Sequence, residues 1–221
     1  MSDFTELTKL NAIWSSKSGF MDAFSGLFDP SSIASHGQST MEVERIFTPL
    51  GPMVCVADAQ GIHLLEFVDR RAIELQVDRL RTTFQCDFTV GKNAFHLQLE
   101  SELQAYFDQE LKQFETPFVI RGTQFQETVW QQLTKIEYGQ TLSYDGVAKA
   151  IGNPKAQRAV GKANGDNRLA IIVPCHRVIR ADGGLSGYGG KVWRKQALLD
   201  LEGRKTLFPE MKNVRAWKPV S

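Results

Sequence analysis

The stretch IGNPKAQRAVGKANGDN, residues 151–167, predicts a short helix between two tight turns. A glycine ends the helical segment before it, and Asn153 and Pro154 suit the N-cap and the first position of the next helix. That helix ends at an Asn-Gly pair. The preceding segment begins after Ser143, another favourable N-cap. Two short helices joined by a tight turn indicate a helix-turn-helix.

The second of these helices carries cations on one face. At about 100° per residue, Lys155, Arg158 and Lys162 fall within about 60° of one another. The small side chains of Ala156 and Ala159 lie beside them and permit close packing. A basic stripe on the second helix of a helix-turn-helix is typical of a module that binds DNA. The alternative is a solvated face whose cations are incidental.

Charge is distributed unevenly along the chain. Residues 1–118 contain 17 acidic and 9 basic side chains, a net charge of −8. Residues 119–221 contain 8 acidic and 17 basic ones, a net charge of +9. A basic half favours a polyanionic partner such as nucleic acid. A solvated charged surface is the other interpretation that charge alone leaves open.

The composition is that of a soluble globular protein, with 42% hydrophobic and 23% charged residues among 221. No apolar run approaches the roughly 20 residues of a membrane helix, and MSDFTELTKL is unlike a secretory signal. The three cysteines are widely spaced, without a C-x-x-C pair, so neither a disulfide framework nor a metal site is expected. We expect a reducing compartment, the cytoplasm or, in a eukaryote, the nucleus.

The pattern divides the chain into three parts, residues 1–40, 41–118 and 119–221. The first contains a short amphipathic helix, with apolar residues at 20, 23, 24, 27 and 28, followed by a linker, SSIASHGQST. The second is predicted to be a small α/β domain. Its expected elements are a hairpin at about 52–68, helices near 70–84 and 98–114, a strand at 87–90, and a packed thiol at Cys55. In the third, Thr123 and Gln126 form a capping-box pattern before another helix.

A Cys-His pair lies in the apolar run RLAIIVPCHRVI, residues 168–179, which predicts a buried strand interrupted by Pro174. Neighbouring side chains of a strand point to opposite faces, so His176 should not bond Cys175 directly. A base at His176 would then act through a water molecule or after a sharp bend. The two residues alone leave a reactive pair and an inert packed thiol both open.

Six motifs of the C-terminal half resemble the O6-alkylguanine-DNA alkyltransferases, also called methylated-DNA–protein-cysteine methyltransferases, in order and spacing over about residues 121–203. They are GTQFQETVWQQL, G-x-T-x-SY at 139–144, IGNPKAQRAVGKANGDN, PCHRVI, GGLSGYGG and LLDLE. The resemblance implies a ribonuclease-H-like α/β domain at 41–118 and a helical, winged-helix-like catalytic domain at 119–221. It also implies repair of DNA by direct reversal of damage.

In that family's pattern, Cys175 is the nucleophile that takes the alkyl group from guanine O6 and keeps it. His176, through a water molecule, and Glu202 form the relay that deprotonates the thiol. Asn167 orders the active-site loop. The product is a stable thioether, so each molecule reacts once, with no metal or organic cofactor.

The resemblance also implies how the lesion is reached. Tyr144 assists rotation of the nucleotide and protonates the leaving guanine, while Arg158 inserts where the flipped base had been. DNA is expected to contact Lys155, Ala156, Arg158, Ala159 and Lys162, and the alkyl group is expected to contact Tyr144, Val178 and Tyr188. The partner is double-stranded DNA that contains O6-alkylguanine, with O4-methylthymine as a further substrate. We expect a monomer and leave cooperative binding on DNA open.

Some features depart from the pattern. KIEYGQT lacks a proline before its glycine, and GYGGKVWRK differs from common variants, which leaves the preference for larger alkyl groups open. SGFMDAFSGLFDPSSI resembles the end of a second helix-turn-helix of an AraC-type regulator, a degenerate remnant, although a helix that simply docks on the main body is an alternative. A non-catalytic lesion binder or regulator and a Cys-His hydrolase are the rival functions. Cys175 argues against the first, because alkyltransferase-like lesion binders replace the cysteine.

Overall fold

The computed structural model describes residues 2–28 and 39–203, which form a mixed α/β structure. The elements up to residue 107 are α1 (Ser2–Ser15), α2 (Lys17–Phe28), β1 (Ser39–Thr48), β2 (Gly51–Asp58), β3 (Gly61–Phe67), α3 (Ile73–Phe84), β4 (Cys86–Val90) and α4 (Ala94–Phe107). Those that follow are α5 (Gln124–Leu133), β5 (Leu142–Ser143), α6 (Tyr144–Ala150), α7 (Gln157–Gly165), a 3₁₀ turn (Cys175–Arg177), β6 (Val178–Ile179) and α8 (Val192–Leu201). Within the described ranges, no helix is both long enough and apolar enough to cross a membrane.

A four-stranded sheet in the order β3-β2-β1-β4 organises the first half. β1, β2 and β3 are antiparallel neighbours, while β4 lies parallel to β1. The predicted hairpin is confirmed, with Met53 paired to Phe67 and a register irregularity between Val56 and Ala57. The predicted strand at 87–90 is confirmed as β4. Two further bridges start from β3: Ile62 pairs with Phe118, and Leu65 pairs with Leu169, which joins the sheet to the C-terminal half.

Both faces of the sheet are covered, which explains why β2 is buried almost throughout and reads as a continuous apolar run. Val54 and Val56 belong to one hydrophobic cluster, together with residues of α1, α2 and α3. Met53, Cys55 and Ala57 belong to a larger cluster that includes residues of α4 to α8. Cys55 is confirmed as a packed core thiol, and burial raises its pKa. One face of the sheet therefore packs against the helices of the C-terminal half.

The two N-terminal helices dock on this sheet. The predicted helix at residues 20–28 is confirmed as part of α2, whereas α1 was not predicted. The Arg45 guanidinium donates to the Trp14 and Ser16 carbonyls at 2.7 and 3.0 Å, where α1 ends, and Arg81 donates to the Phe28 carbonyl at 2.9 Å. Cations at helix C-termini are favourable. Residues 31–38 of the predicted linker lie outside the described residues, and 39–40 belong to β1.

Two predicted helices begin or end at other residues. The helix expected near 98–114 runs over Ala94–Phe107, because Asn93 and His96 form a capping box and Gln109 has a left-handed φ of 64°. The helix that should begin at Asn153 and Pro154 begins at Gln157, after Ala156. The Asn153 carbonyl instead accepts the Ala156 N–H at 3.0 Å and closes a turn. That prediction of the N-cap was wrong.

The prediction of a strand over residues 168–179 was also wrong. Leu169 makes one isolated bridge to Leu65, and only Val178–Ile179 is a strand, paired with β5. Turns and the 3₁₀ turn lie between them, with Ile171 at a left-handed φ of 71°. The apolar run indicated that these residues are buried, but not that their backbone is extended. Between these two pairings, side chains rather than a neighbouring strand form hydrogen bonds with its backbone. The Asn167 amide, for example, donates to the Val173 carbonyl at 2.9 Å.

Candidate active site

Cys175 begins the 3₁₀ turn that follows Pro174, and its side chain is buried with 5% exposed. Asn167 Nδ2 donates to its sulfur at 3.1 Å, while Asn167 Oδ1 accepts the Leu169 N–H at 3.0 Å. Burial raises the pKa of the Cys175 thiol, and the hydrogen bond from Asn167 acts in the opposite direction. The thiol is therefore protonated at neutral pH and needs a base before it can act as a nucleophile.

His176 follows Cys175 in the 3₁₀ turn and contacts Glu202. The distance from His176 Nε2 to Glu202 Oε1 is 3.0 Å, and the imidazole is fully buried. Burial lowers the pKa of His176, so the ring is neutral. Although burial opposes it, hydrogen bonding to His176 and Arg177 holds the pKa of Glu202 well below its usual range. The ionised carboxylate accepts a hydrogen bond from the His176 Nε2–H, which leaves Nδ1 as an acceptor.

Glu202 is held in place by several donors at the end of α8. Arg177 Nε donates to Oε2 at 2.9 Å, Tyr106 Oη to Oε1 at 2.7 Å, and the Gly139 N–H to Oε2 at 3.2 Å. Arg177 also donates to the Ile136 carbonyl at 2.5 Å. Such a buried charge pair is stable only with this complete set of partners.

Aromatic and basic side chains also lie near the thiol. The Tyr144 hydroxyl accepts a hydrogen bond from Ser186 at 2.9 Å, and Lys195 Nζ lies 5.9 Å from the centre of its ring. Lys195 is fully buried and donates to the Val178 carbonyl at 2.5 Å. Burial raises the pKa of Tyr144 and, more strongly, that of Tyr188, and the nearby cysteine adds to both shifts.

Helix α7 connects this interior to the surface. Its inner face is buried, with the Ala163 carbonyl accepting from Trp130 Nε1 at 2.7 Å and Asn164 Nδ2 donating to the Cys175 carbonyl at 3.3 Å. Its outer face exposes Arg158 and Lys162. The helix therefore holds the backbone of the cysteine on one side and presents cations on the other.

The predicted basic stripe needs one correction. Lys155 lies on the turn before α7, and Ala156 is its N-cap, so only Arg158, Ala159 and Lys162 of the predicted DNA-contacting residues are on the helix itself. Lys155 and Ala159 are exposed, and Ala156 is half-buried. The physical reason is that the turn closed between Asn153 and Ala156 precedes α7, so the helix begins only at Gln157.

A family model described as 6-O-methylguanine DNA methyltransferase, DNA binding domain, matches residues 124–204. A methylated-DNA–protein-cysteine methyltransferase from Methanosarcina acetivorans is 43% identical over 157 residues, which cover 71% of this chain and 94% of the relative. The chain belongs to this family. A methylated-DNA–protein-cysteine methyltransferase from Mycobacterium tuberculosis is 45% identical over 157 residues, or 71% of this chain and 89% of that one.

The fold agrees with that membership. The crystal structure of Mycobacterium tuberculosis OGT in complex with DNA matches with a TM-score of 0.62 and 39% identity, covering 74% of this chain and 92% of that chain. The mixed α/β arrangement described above is thus shared with Mycobacterium tuberculosis OGT.

Several residues around the site were not predicted from sequence. Lys195 lies seven positions before Glu202 and three before Leu198, so helical spacing alone places it on the core face of α8. For Arg177 and Tyr106 no local pattern points to Glu202, because their contacts join distant segments. In the part of the chain that the structure describes, no three His, Cys, Asp or Glu side chains are grouped so that they could hold a metal ion.

Proposed function

We propose that this chain is a methylated-DNA–protein-cysteine methyltransferase that repairs O6-alkylguanine in double-stranded DNA by moving the alkyl group to Cys175. The observation that carries the proposal is the position of Cys175. Its sulfur contacts Asn167, its neighbour His176 is paired with Glu202, and its carbonyl is bonded to the inner face of α7. A reactive thiol attached to the back of a helix with an exposed basic face suits a reaction on DNA.

Activation of the thiol follows from the charges around it. His176 Nδ1 is buried and has no hydrogen-bond partner within residues 2–28 and 39–203. Its lone pair can accept the Cys175 proton through a water molecule. The Glu202 carboxylate then stabilises the imidazolium that forms, and the Asn167 N–H stabilises the thiolate.

The transfer step is a displacement at carbon. The Cys175 thiolate forms a bond to the alkyl carbon while the bond from that carbon to guanine O6 breaks, and the electron pair stays on guanine. Guanine then needs a proton, which the Tyr144 hydroxyl supplies. Because the pKa of Tyr144 is raised, this phenol stays protonated at neutral pH. The product is a thioether, and each molecule reacts once without a cofactor.

The target atom of a stacked base becomes accessible only if the nucleotide rotates out of the duplex. Arg158, exposed on α7, would fill the gap, while Lys155 and Lys162 contact phosphates. The small side chains of Ala156 and Ala159 would let the helix approach the minor groove. Val178 and Tyr188 would line the pocket that receives the flipped base.

The organisation of the chain belongs to the same proposal. We infer a ribonuclease-H-like domain at 41–118, a winged-helix-like catalytic domain at 119–221 and an extension at 1–40. The docking of α1 and α2 on the sheet supports a covering role for this extension, whether or not it is a remnant of an AraC-type helix-turn-helix. The same proposal includes a monomer of the cytoplasm or nucleus and O4-methylthymine as a second substrate.

A duplex that carries O6-methylguanine with a labelled methyl group tests the proposal. We expect one label per protein molecule on the peptide that contains Cys175, and none in Cys175→Ser. Cys86→Ser, which removes another buried thiol, is the matched control and should accept the label normally. DNA binding without transfer would favour a regulator, and repeated turnover would favour a hydrolase. Label in Cys175→Ser would contradict the assignment of the nucleophile.

A further inference from the structure

Arg70 belongs to the N-terminal half, just after β3, yet its side chain enters the active-site region. The residue is only 6% exposed and forms an ion pair with Glu66, which is also buried. A buried guanidinium is stable only where hydrogen bonds replace its water on every side. Glu66 provides one of these partners, and the others lie on a distant segment of the chain.

Two hydrogen bonds from Arg70 cross to the C-terminal half. Nη1 donates to the Asn167 carbonyl at 2.7 Å, and Nη2 donates to the Gly165 carbonyl at 2.6 Å. Gly165 ends α7, where carbonyls have no partner within the helix and a cation is favourable. One planar guanidinium therefore joins the end of the exposed helix to the residue whose amide contacts Cys175.

The same guanidinium also packs against the segment that follows Tyr188. A Cβ added at Gly189 would lie 2.9 Å from Arg70 Cζ and 3.1 Å from its Nε. A side chain at position 189 would therefore force either this segment or the Arg70 guanidinium to shift. The arginine therefore contacts two segments: the end of α7 from Gly165 to Asn167, and the segment next to Tyr188.

Charge at the thiol depends on this pair as well. Beyond burial and the hydrogen bond from Asn167, Glu66 raises the pKa of Cys175, whereas Lys195 and Arg70 lower it. Removing both members of the Glu66–Arg70 pair would therefore remove two opposite electrostatic effects. The phenols of Tyr144 and Tyr188 also interact electrostatically with the thiol.

We propose that Arg70 is a positioning residue for alkyl transfer, which fixes the backbone at Gly165 and Asn167 so that the Asn167 amide is held against the Cys175 sulfur. The inference rests on the proposed function. The N-terminal half then affects the reactivity of the thiol through Asn167, without contact between Arg70 and the substrate.

The first test uses full-length Arg70→Met and the double variant Glu66→Gln/Arg70→Met. Free O6-benzylguanine is the substrate, so that DNA binding plays no part. Both variants lose the two bonds to the carbonyls, and we expect the rate constant for Cys175 alkylation to fall about 10- to 100-fold in both, as displaced catalytic groups typically cause. A wild-type rate in the double variant would mean that Arg70 only neutralises Glu66, and would overturn the proposal.

Arg79→Met is the matched control. Arg79 reaches the same segment at 3.1 Å, but it is exposed and its ion pair is with the Asp166 carboxylate rather than with the backbone. Its loss should leave the rate within about twofold of wild type, as for most exposed ion pairs. An equal loss in Arg79→Met and Arg70→Met would contradict a specific role for Arg70.

A second measurement reports the hydrogen bond to the sulfur directly. Iodoacetamide labelling of Cys175 as a function of pH, read by peptide mass spectrometry, follows the thiolate. Because Asn167 lowers the pKa of the thiol, its displacement should shift the profile to higher pH even in the double variant, where the two charges are both gone. Asn167→Ala should shift it in the same direction. An unshifted profile in the double variant would overturn the proposal.

Two features keep the tests decisive. If wild-type protein does not take the label from duplex O6-methylguanine, the proposed function fails, while the iodoacetamide profile still tests Arg70. If Arg70→Met does not fold, Arg70→Lys keeps the charge but lacks the fork that reaches both carbonyls. We expect its rate to fall between those of wild type and Asn167→Ala, and a wild-type rate and pH profile would overturn the proposal.

Discussion

The interior behind Cys175 and the outer face of α7 hold their charges in opposite ways. Glu202 and Arg177 are 5% and 6% exposed and depend on several hydrogen bonds. Arg158 and Lys162 are exposed on the helix surface. Buried charges need specific partners, whereas exposed charges remain hydrated. Changes in the interior should therefore affect folding and chemistry together, and changes on the outer face should affect only the use of DNA.

Glu202→Gln should give the largest effect, because it leaves Arg177 buried beside a neutral amide. We expect the free energy of unfolding to fall by about 3–5 kcal/mol, with slower alkylation by both free O6-benzylguanine and duplex DNA. Urea denaturation measures the first effect. Asp182→Asn is the control, since Asp182 pairs with Arg180 at 3.0 Å but both side chains are 60% exposed. Its cost should be about 0–1 kcal/mol, and equal costs would contradict the contrast.

Arg158→Ala should have an intermediate effect confined to DNA. Without the side chain that fills the gap in the duplex, repair of duplex O6-methylguanine should slow by roughly 10- to 100-fold, as loss of about 1–3 kcal/mol implies. Reaction with free O6-benzylguanine should be unchanged. Arg71→Ala removes another exposed arginine, far along the chain from α7, and should alter neither rate. Equal loss of both substrates in Arg158→Ala would argue against base flipping.

The smallest effect concerns the residues that precede α6 and α7. The Ser143 hydroxyl accepts the Gly146 N–H at 2.9 Å and caps α6, so Ser143→Ala should cost about 1 kcal/mol in thermal or urea unfolding. Asn153→Ala should cost less than about 0.5 kcal/mol, because Asn153 is exposed and caps no helix. A larger cost for Asn153 would mean that α7 begins earlier than the structure places it.

Local signals predicted much of the fold. The capping box of Thr123 and Gln126, the cap at Ser143 and the hairpin up to Phe67 are all present, because each depends on residues that are close in sequence. The basic face of α7 follows from helical spacing in the same way. Asn153 shows the limit of such signals. It is a good capping residue, but its carbonyl accepts the Ala156 N–H in a turn that precedes α7.

Resemblance to the family predicted that His176 and Glu202 act in one relay, and in the structure His176 Nε2 lies 3.0 Å from Glu202 Oε1. The residues alone could not predict this, because 26 positions separate the two side chains. The prediction of a strand around Cys175 failed for a related reason. Apolar continuity indicates burial, whereas the turns there depend on hydrogen bonds from Asn164 and Asn167.

The sequence by itself determined the helical punctuation, the basic face of α7 and, through its ordered motifs, the family. These properties are set by short-range geometry and by the order of residues along the chain. Only the tertiary structure decided that Arg70 bonds the carbonyls of Gly165 and Asn167, and that Glu202 is enclosed by Arg177 and Tyr106. Buried polar groups must find partners wherever packing places them, and local sequence carries no record of which distant groups those will be.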